Sequence, residues 1–329
     1  MNDQNQIGTK RISRRRGRSC LVWLGAGLVL LLGLMLVGYI YESIAEAADA
    51  RAYPPPGELV DVGGYRLHIN CTGTGIPTVV IVAGAGDWST TWGGVVQPEV
   101  AKTTRVCTYD RAGLGWSEAA SLPSDAARFA RELNTLLQNA NVPGPYVMVG
   151  HSLGGFIVRV FAHDYASEVS GVVLIDSMNP KQVTQSQADS LAQMFSFQAV
   201  LARFGVGRLL VKLPAIAPSM PPSEEAYYPL YIRPGSLQAG AKEYQELPAS
   251  AAEAAAVKTF GDLPLIVLTA GLNDNPGWPA WQTELLELSS NSQHLFAENS
   301  GHTIQRDEPE AAVAAILQVV EQARQTVKK

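Results

Sequence analysis

The sequence predicts an α/β protein: an eight-stranded, mainly parallel sheet with flanking helices and an inserted helical cap. Three observations lead there. Short β-branched apolar runs recur from residue 58 onward, and several are continuous rather than alternating. That is the pattern of strands buried on both faces. Amphipathic helical patterns separate several of these runs, as crossover connections between parallel strands require. One interval, about 179–262, breaks the rhythm with no strand pattern, and it is too long for a plain loop.

Three short parts precede this body. Residues 1–19 form a basic tail, with Lys10, Arg11, Arg14, Arg15, Arg16 and Arg18 against Asp3, a local charge of +5. The whole chain carries −5, so the remainder carries −10. An acidic body excludes nucleic acid as the expected partner. Residues 20–41 hold no charged side chain and are long enough to cross a hydrocarbon core of ~30 Å as a helix. Tyr39 and Tyr41 fall where an interfacial aromatic belt would lie. The segment is read as a single-pass transmembrane signal-anchor, with the basic N-terminus cytoplasmic and the rest extracytoplasmic. The alternative is a cleaved signal peptide with Ala45–Ala47 as the cleavage site, but the apolar run exceeds a signal h-region of ~7–15 residues. Residues 42–57 read as a Pro-rich linker ending in Pro54, Pro55 and Pro56.

The domain at 58–329 then unfolds element by element. "ELVDVGG" and "YRLHINCTG" form a hairpin about a Gly-Gly turn. "TVVIVAGAG" (78–86) is a continuous apolar run that ends in glycines, and "TRVCTYDRAG" (104–113) alternates and then breaks. "YVMVGHS" (146–152), "GVVLIDS" (171–177), "PLIVLTAG" (264–271) and "HLFAENS" (294–300) complete the eight strands. Helical periodicity covers 124–140, the stretch after Ser152, and 309–325. Ser124 and Asp125 supply an N-cap for the first, and Asp307 reads as an N-cap for the last. The interval 179–262 combines apolar helical pieces with a Pro-rich patch and reads as the cap.

The chemistry centres on "GHSLGG". Gly150, Ser152 and Gly154 match G-x-S-x-G in a strand–turn–helix context. Glycines at 150, 154 and 155 let neighbouring backbone approach a sharp turn. A serine hydroxyl is a poor nucleophile without a base. Of five histidines, His68 and His294 fall on strands and His163 in a helix, and His151 is expected to point away from the serine. His302 follows the last strand, at the sheet edge where a base can reach Ser152. The base needs an acid. Asp274, after the seventh strand, completes the order Ser…Asp…His; Asp176, ending the sixth strand, is the alternative and could instead accept turn hydrogen bonds. The backbone N–H groups of Leu153 and Ala85 are the expected oxyanion donors. Trp88 and Trp92 could line an apolar pocket or belong to the core. No metal-ligand spacing and no phosphate-cradling glycine loop occurs, so no metal or cofactor is expected.

Together these residues resemble the α/β-hydrolase superfamily over about 58–178 and 263–325. "YDRAGLGWS" (109–117) looks like the family's turn after the fourth strand, and "SGHTIQRDEPE" like its histidine loop. Two departures stand out. The oxyanion loop carries Ala83-Gly84 where the family usually has His-Gly. The nucleophile is serine rather than aspartate, which disfavours epoxide hydrolase and dehalogenase chemistry. The resemblance also implies that the second and fourth strands are neighbours, so Cys71 and Cys107 could meet, as a disulfide or as two buried thiols. Together with the apolar segment at 20–41, it implies a membrane-anchored serine hydrolase that cleaves a small-molecule carboxylic ester through an acyl-enzyme. The alternatives are a non-catalytic binding protein of the same fold, an amide or carbon–carbon hydrolase, and cofactor-free haloperoxidase-like chemistry.

Overall fold

The computed structural model of the chain describes residues 5–121, 123–212 and 221–327. Residues 1–4 of the basic tail and 213–220 of the Pro-rich patch lie outside the described residues. Helix α1 runs without a break from Asn5 to Ala52. The expected linker is therefore helical through residue 52, a correction to the sequence reading. Its "EAADARA" stretch is rich in alanine, the strongest helix former. Only the proline cluster, starting at Pro54, ends it.

Eight strands form one sheet: β1 (Glu58–Asp61), β2 (Arg66–Thr72), β3 (Thr78–Val82), β4 (Val106–Tyr109), β5 (Tyr146–His151), β6 (Val169–Ile175), β7 (Leu265–Ala270) and β8 (Ser292–Ala297). Their order is β1-β2-β4-β3-β5-β6-β7-β8. Only β2 runs against its neighbours; β4, β3 and β5–β8 are parallel. The continuous apolar runs are the central strands: every residue of β3, β5 and β7 is buried.

Alternate side chains of these strands feed two cores. Val80, Met148, Leu174 and Val267 pack with α2 (Ala126–Asn139) and α3 (Gly154–Asp164). Val79, Ile81, Val149 and Leu268 pack on the other face with the final helix. Asp125 caps α2 by accepting the Arg128 N–H at 2.8 Å. Antiparallel pairing sets Cys71 directly opposite Cys107, and the two form a disulfide.

Between β6 and β7 the described residues form helices joined by turns and loops, with no strand. They include α4 (Gln185–Ala202), α5 (Val206–Leu210), α6 (Pro234–Gln245) and α7 (Leu247–Ala256). After β7 come α8 (Trp278–Leu285) and, at the chain's end, α9 (Pro309–Val327). Asp307 does not cap α9, contrary to the sequence reading. A separate turn, Ile304–Asp307, precedes that helix, and the Asp307 carboxylate accepts the Gly301 N–H at 3.0 Å. It shapes the loop that carries His302.

Candidate active site

Parallel strands gather their carboxyl ends at one edge of the sheet, where open α/β folds bind ligands. Ser152 sits there, between β5 and α3, at φ +52°. Left-handed backbone costs a non-glycine residue roughly 1–3 kcal/mol, so the surroundings must enforce it. They do so through the Ser152 carbonyl, which accepts N–H bonds from Gly155 and Met178, each at 3.1 Å, and the Ser177 hydroxyl at 3.3 Å. The glycines are steric necessities. A Cβ on Gly150 would lie 2.7 Å from the Gly154 carbonyl oxygen, and one on Gly154 would lie 2.2 Å from that of Val82.

The loop after β3 closes beside the serine. Asp87 N–H bonds the Gly84 carbonyl at 3.1 Å, with Gly86 at φ +67° inside the turn. A Cβ on Gly84 would stand 3.2 Å from that of Ser152, which measures how near the loop comes. Among the described residues, the N–H groups of Leu153 and Ala85 donate to no protein acceptor. Their neighbour Gly86 is engaged, donating to Glu243 Oε2 at 2.7 Å.

Sequence reading missed what holds this loop. Buried Arg111 donates Nη1 to the Ala83 carbonyl at 2.7 Å and Nη2 to the Gly84 carbonyl at 2.6 Å. Its Nε and Nη2 pair with Glu243 of α6 at 2.6 and 3.0 Å. The planar guanidinium thus joins the loop after β3 to the cap, a fork geometry that lysine could not reproduce. Arg111 lies in the "YDRAGLGWS" motif, so a signal was present. Glu243 sits in a helix with no local pattern to mark it.

His302 occupies the loop after β8, and its Nδ1 lies 2.6 Å from Asp176 Oδ2. Asp176, fully buried at the end of β6, has φ +38°. Its N–H bonds the Leu268 carbonyl at 2.7 Å. Its Oδ1 accepts the Ala270 N–H at 2.9 Å and Trp278 Nε1–H at 2.7 Å. Asp274, the first-choice acid, does not meet His302 and stands exposed on the loop beyond Gly271. The end of β7 therefore supplies donors that hold the Asp176 carboxylate, and the end of β6 supplies the carboxylate that meets His302.

His151 corrects a second expectation. Its ring lies 4.8 Å from that of His302, centroid to centroid, and Nε2 donates to the His302 carbonyl at 2.8 Å. Burial, reinforced by the neighbouring His302, pushes its pKa down to about 3, so it stays neutral. It braces the histidine loop from beside the serine.

Ser152, His302, Gly84, Ala85 and Asp87 share one cavity of about 360 Å³ with Tyr228, Tyr231 and Tyr244. Burial pushes the Asp87 carboxyl up to about 6. Thr91 Oγ1 donates to it at 2.9 Å and the Tyr231 hydroxyl at 3.3 Å. Trp92 belongs to the core beneath the sheet. Trp88 is buried too, and stacks at 3.6 Å on Tyr231, which does face the cavity.

A family model described as the alpha/beta hydrolase family matches residues 79–316. Among curated proteins, the chain is 27% identical over 217 residues to an uncharacterised protein of Schizosaccharomyces pombe, covering 64% of this chain and 40% of that one. It spans less than half the length of that relative. It is 27% identical over 249 residues to the uncharacterised protein YqjL of Bacillus subtilis, covering 74% of this chain and 83% of YqjL. Among solved structures, a thermophilic esterase from Thermogutta terrifontis superposes with a TM-score of 0.64 at 20% identity, covering 81% of this chain and 98% of the esterase. Identity that low carries the fold and nothing finer.

Proposed function

The chain belongs to the alpha/beta hydrolase family, and from that premise we propose that it is a membrane-anchored serine hydrolase acting on carboxylic esters. The observation that carries the reading is the His302–Asp176 pair at 2.6 Å, with His302 opening on the same cavity as Ser152. Ser152 Oγ attacks the acyl carbonyl while His302 Nε2 takes its proton. Asp176 fixes the tautomer by accepting the Nδ1–H and stabilises the imidazolium that forms. The N–H groups of Leu153 and Ala85 receive the oxyanion. Collapse of the tetrahedral adduct expels the alcohol, which takes the proton from His302. Water, activated by the same histidine, then releases the acid and restores the serine. A carboxylic ester suits this set because an alkoxide is a far better leaving group than an amide anion and depends less on the proton that His302 returns.

The anchor is α1. From Val22 to Ala52 it is long and apolar enough to cross a membrane, and none of its most apolar window is buried. The basic tail favours a cytoplasmic N-terminus and an extracytoplasmic catalytic domain. The test is covalent. A fluorophosphonate probe should label the full-length protein, and Ser152→Ala should abolish labelling. Labelling that survives the substitution would refute the assignment.

A further inference from the structure

We propose that the α4–α5 face of the cap lies on the bilayer beside α1 and feeds the acyl chain of a membrane-resident ester into the active site. The proposal rests on the anchored-hydrolase reading above. It adds a lipid-contact surface and a substrate class, an amphiphile with a long acyl chain.

The first observation is depth. Val22 to Tyr41, at ~1.5 Å per residue, spans about 30 Å, the thickness of a hydrocarbon core. The cap touches α1 inside this stretch. Gly38 lies so close to Phe204 that a Cβ would stand 2.4 Å from its carbonyl oxygen, and a Cβ on Gly205 would stand 2.7 Å from the Tyr41 ring. The contact is locked one turn further along. Buried Arg208 donates Nε to Glu42 at 2.8 Å and Nη2 to Asp49 at 2.6 Å. If α1 spans the membrane, residues 204–208 are therefore held at its outer hydrocarbon boundary.

The second observation is composition. The helices on either side of that contact present apolar side chains outward: Met194, Phe197 and Val200 on α4, and Leu209 and Leu210 on α5. Phe197 is 64% exposed and Leu209 58%. Exposed Arg203 and Lys212 flank them. Apolar side chains ringed by cations match a lipid interface with anionic headgroups.

The third observation is the route inward. Behind this face lies an apolar cavity of about 410 Å³, lined in part by Phe195, Leu201, Val206, Leu210 and Leu237. Leu210, 39% exposed, belongs both to the face and to the cavity. At its inner end the cavity shares Gly86, Tyr228 and Tyr231 with the cavity of Ser152. An acyl chain entering at Leu210 would point its carbonyl toward the oxyanion loop.

Two measurements on the full chain in vesicles of phosphatidylcholine and phosphatidylglycerol decide this. The first needs no hydrolysis: a bimane at Phe197→Cys, in a Cys20→Ser background, should be quenched by brominated acyl chains. Absence of quenching, or protection of the label by a second copy of the chain instead, overturns the docking. The second compares substrates for the double variant Phe197→Ser with Leu209→Ser. Hydrolysis of a vesicle-borne long-chain umbelliferyl ester should fall about tenfold or more, the equivalent of one buried apolar side chain. Hydrolysis of umbelliferyl acetate in water should hold within about twofold. Equal loss on both substrates, or no loss on either, overturns the route. Wild type inert toward both esters, with quenching intact, would refute the hydrolase reading and leave the docking standing.

Discussion

Two His–Asp pairs lie at this sheet, and the contrast between them shows what separates an enclosed pair from one open to a cavity. His68 Nδ1 lies 2.9 Å from Asp110 Oδ2, and His302 Nδ1 lies 2.6 Å from Asp176 Oδ2. Chemistry and distance barely distinguish them. Surroundings do. Both side chains of the first pair are wholly buried, whereas the His302 ring is 44% exposed. The other ring nitrogen of His68 is bonded to the Pro56 carbonyl, and Trp116 packs on its ring at 4.9 Å. Asp110 also accepts the Ser89 and Trp116 N–H groups, each at 2.9 Å. That pair is spent on joining the residues before β1 to the turn after β4. The second pair leaves His302 on the wall of a cavity that it shares with a serine.

The sharpest way to break the comparison is to change the acids. Asp176→Asn should lower kcat on a short ester by about 10⁴-fold, because the amide oxygen stays with the Ala270 and Trp278 donors, the NH2 then faces Nδ1 and selects the wrong tautomer, and no negative charge remains to stabilise the imidazolium. Asp274→Asn should change kcat by less than about twofold. A collapse in the second variant with little effect in the first would hand the acid role back to Asp274.

The next effect is one of stability. His68→Leu leaves Asp110 buried with its charge uncompensated, which costs about 3–5 kcal/mol. At ~2–4 °C per kcal/mol, the melting temperature should drop by roughly 10 °C. Fluorophosphonate labelling of Ser152 in the cold, where the variant stays folded, should remain within about twofold of wild type. If labelling is lost while the fold persists, the His68–Asp110 pair is not merely structural.

Sequence reading reached most of the fold because strand burial writes itself locally. A strand covered on both faces must be apolar throughout, and β3, β5 and β7 are. The turn at Ser152 and the loop position of His302 were legible for a related reason, since a tight turn needs its glycines and the last strand must be followed by a loop at the sheet edge. The carboxylate that meets His302 was not. Asp176 and Asp274 both fall between the serine and the histidine in chain order, and both follow neighbouring strands. What separates them is the Leu268 carbonyl that fixes the Asp176 backbone, and the Ala270 and Trp278 donors that fix its carboxylate. All three are contacts far away in sequence. The Arg111–Glu243 clamp is hidden in the same way, its partners 132 positions apart. Helix α1 outran its expected end because the prolines drew the boundary of a linker too early, although alanine and glutamate already favoured helix through residue 52.

The smallest effect concerns a third carboxylate, Asp87, which faces the cavity of Ser152 but has no histidine. Burial raises its pKa from 3.8 to about 6. A raised carboxyl binds its proton more tightly in the folded state. Its contribution to stability is therefore complete below pH 3.8 and is lost as pH rises through about 6. The full swing is about 3 kcal/mol, at 1.36 kcal/mol per pH unit. Asp87→Asn cannot titrate, so its urea midpoint should gain on wild type as pH rises from 4 to 7, with most of the gain between 4 and 6. A constant offset between the two proteins across that range would mean that Asp87 does not carry the shifted proton.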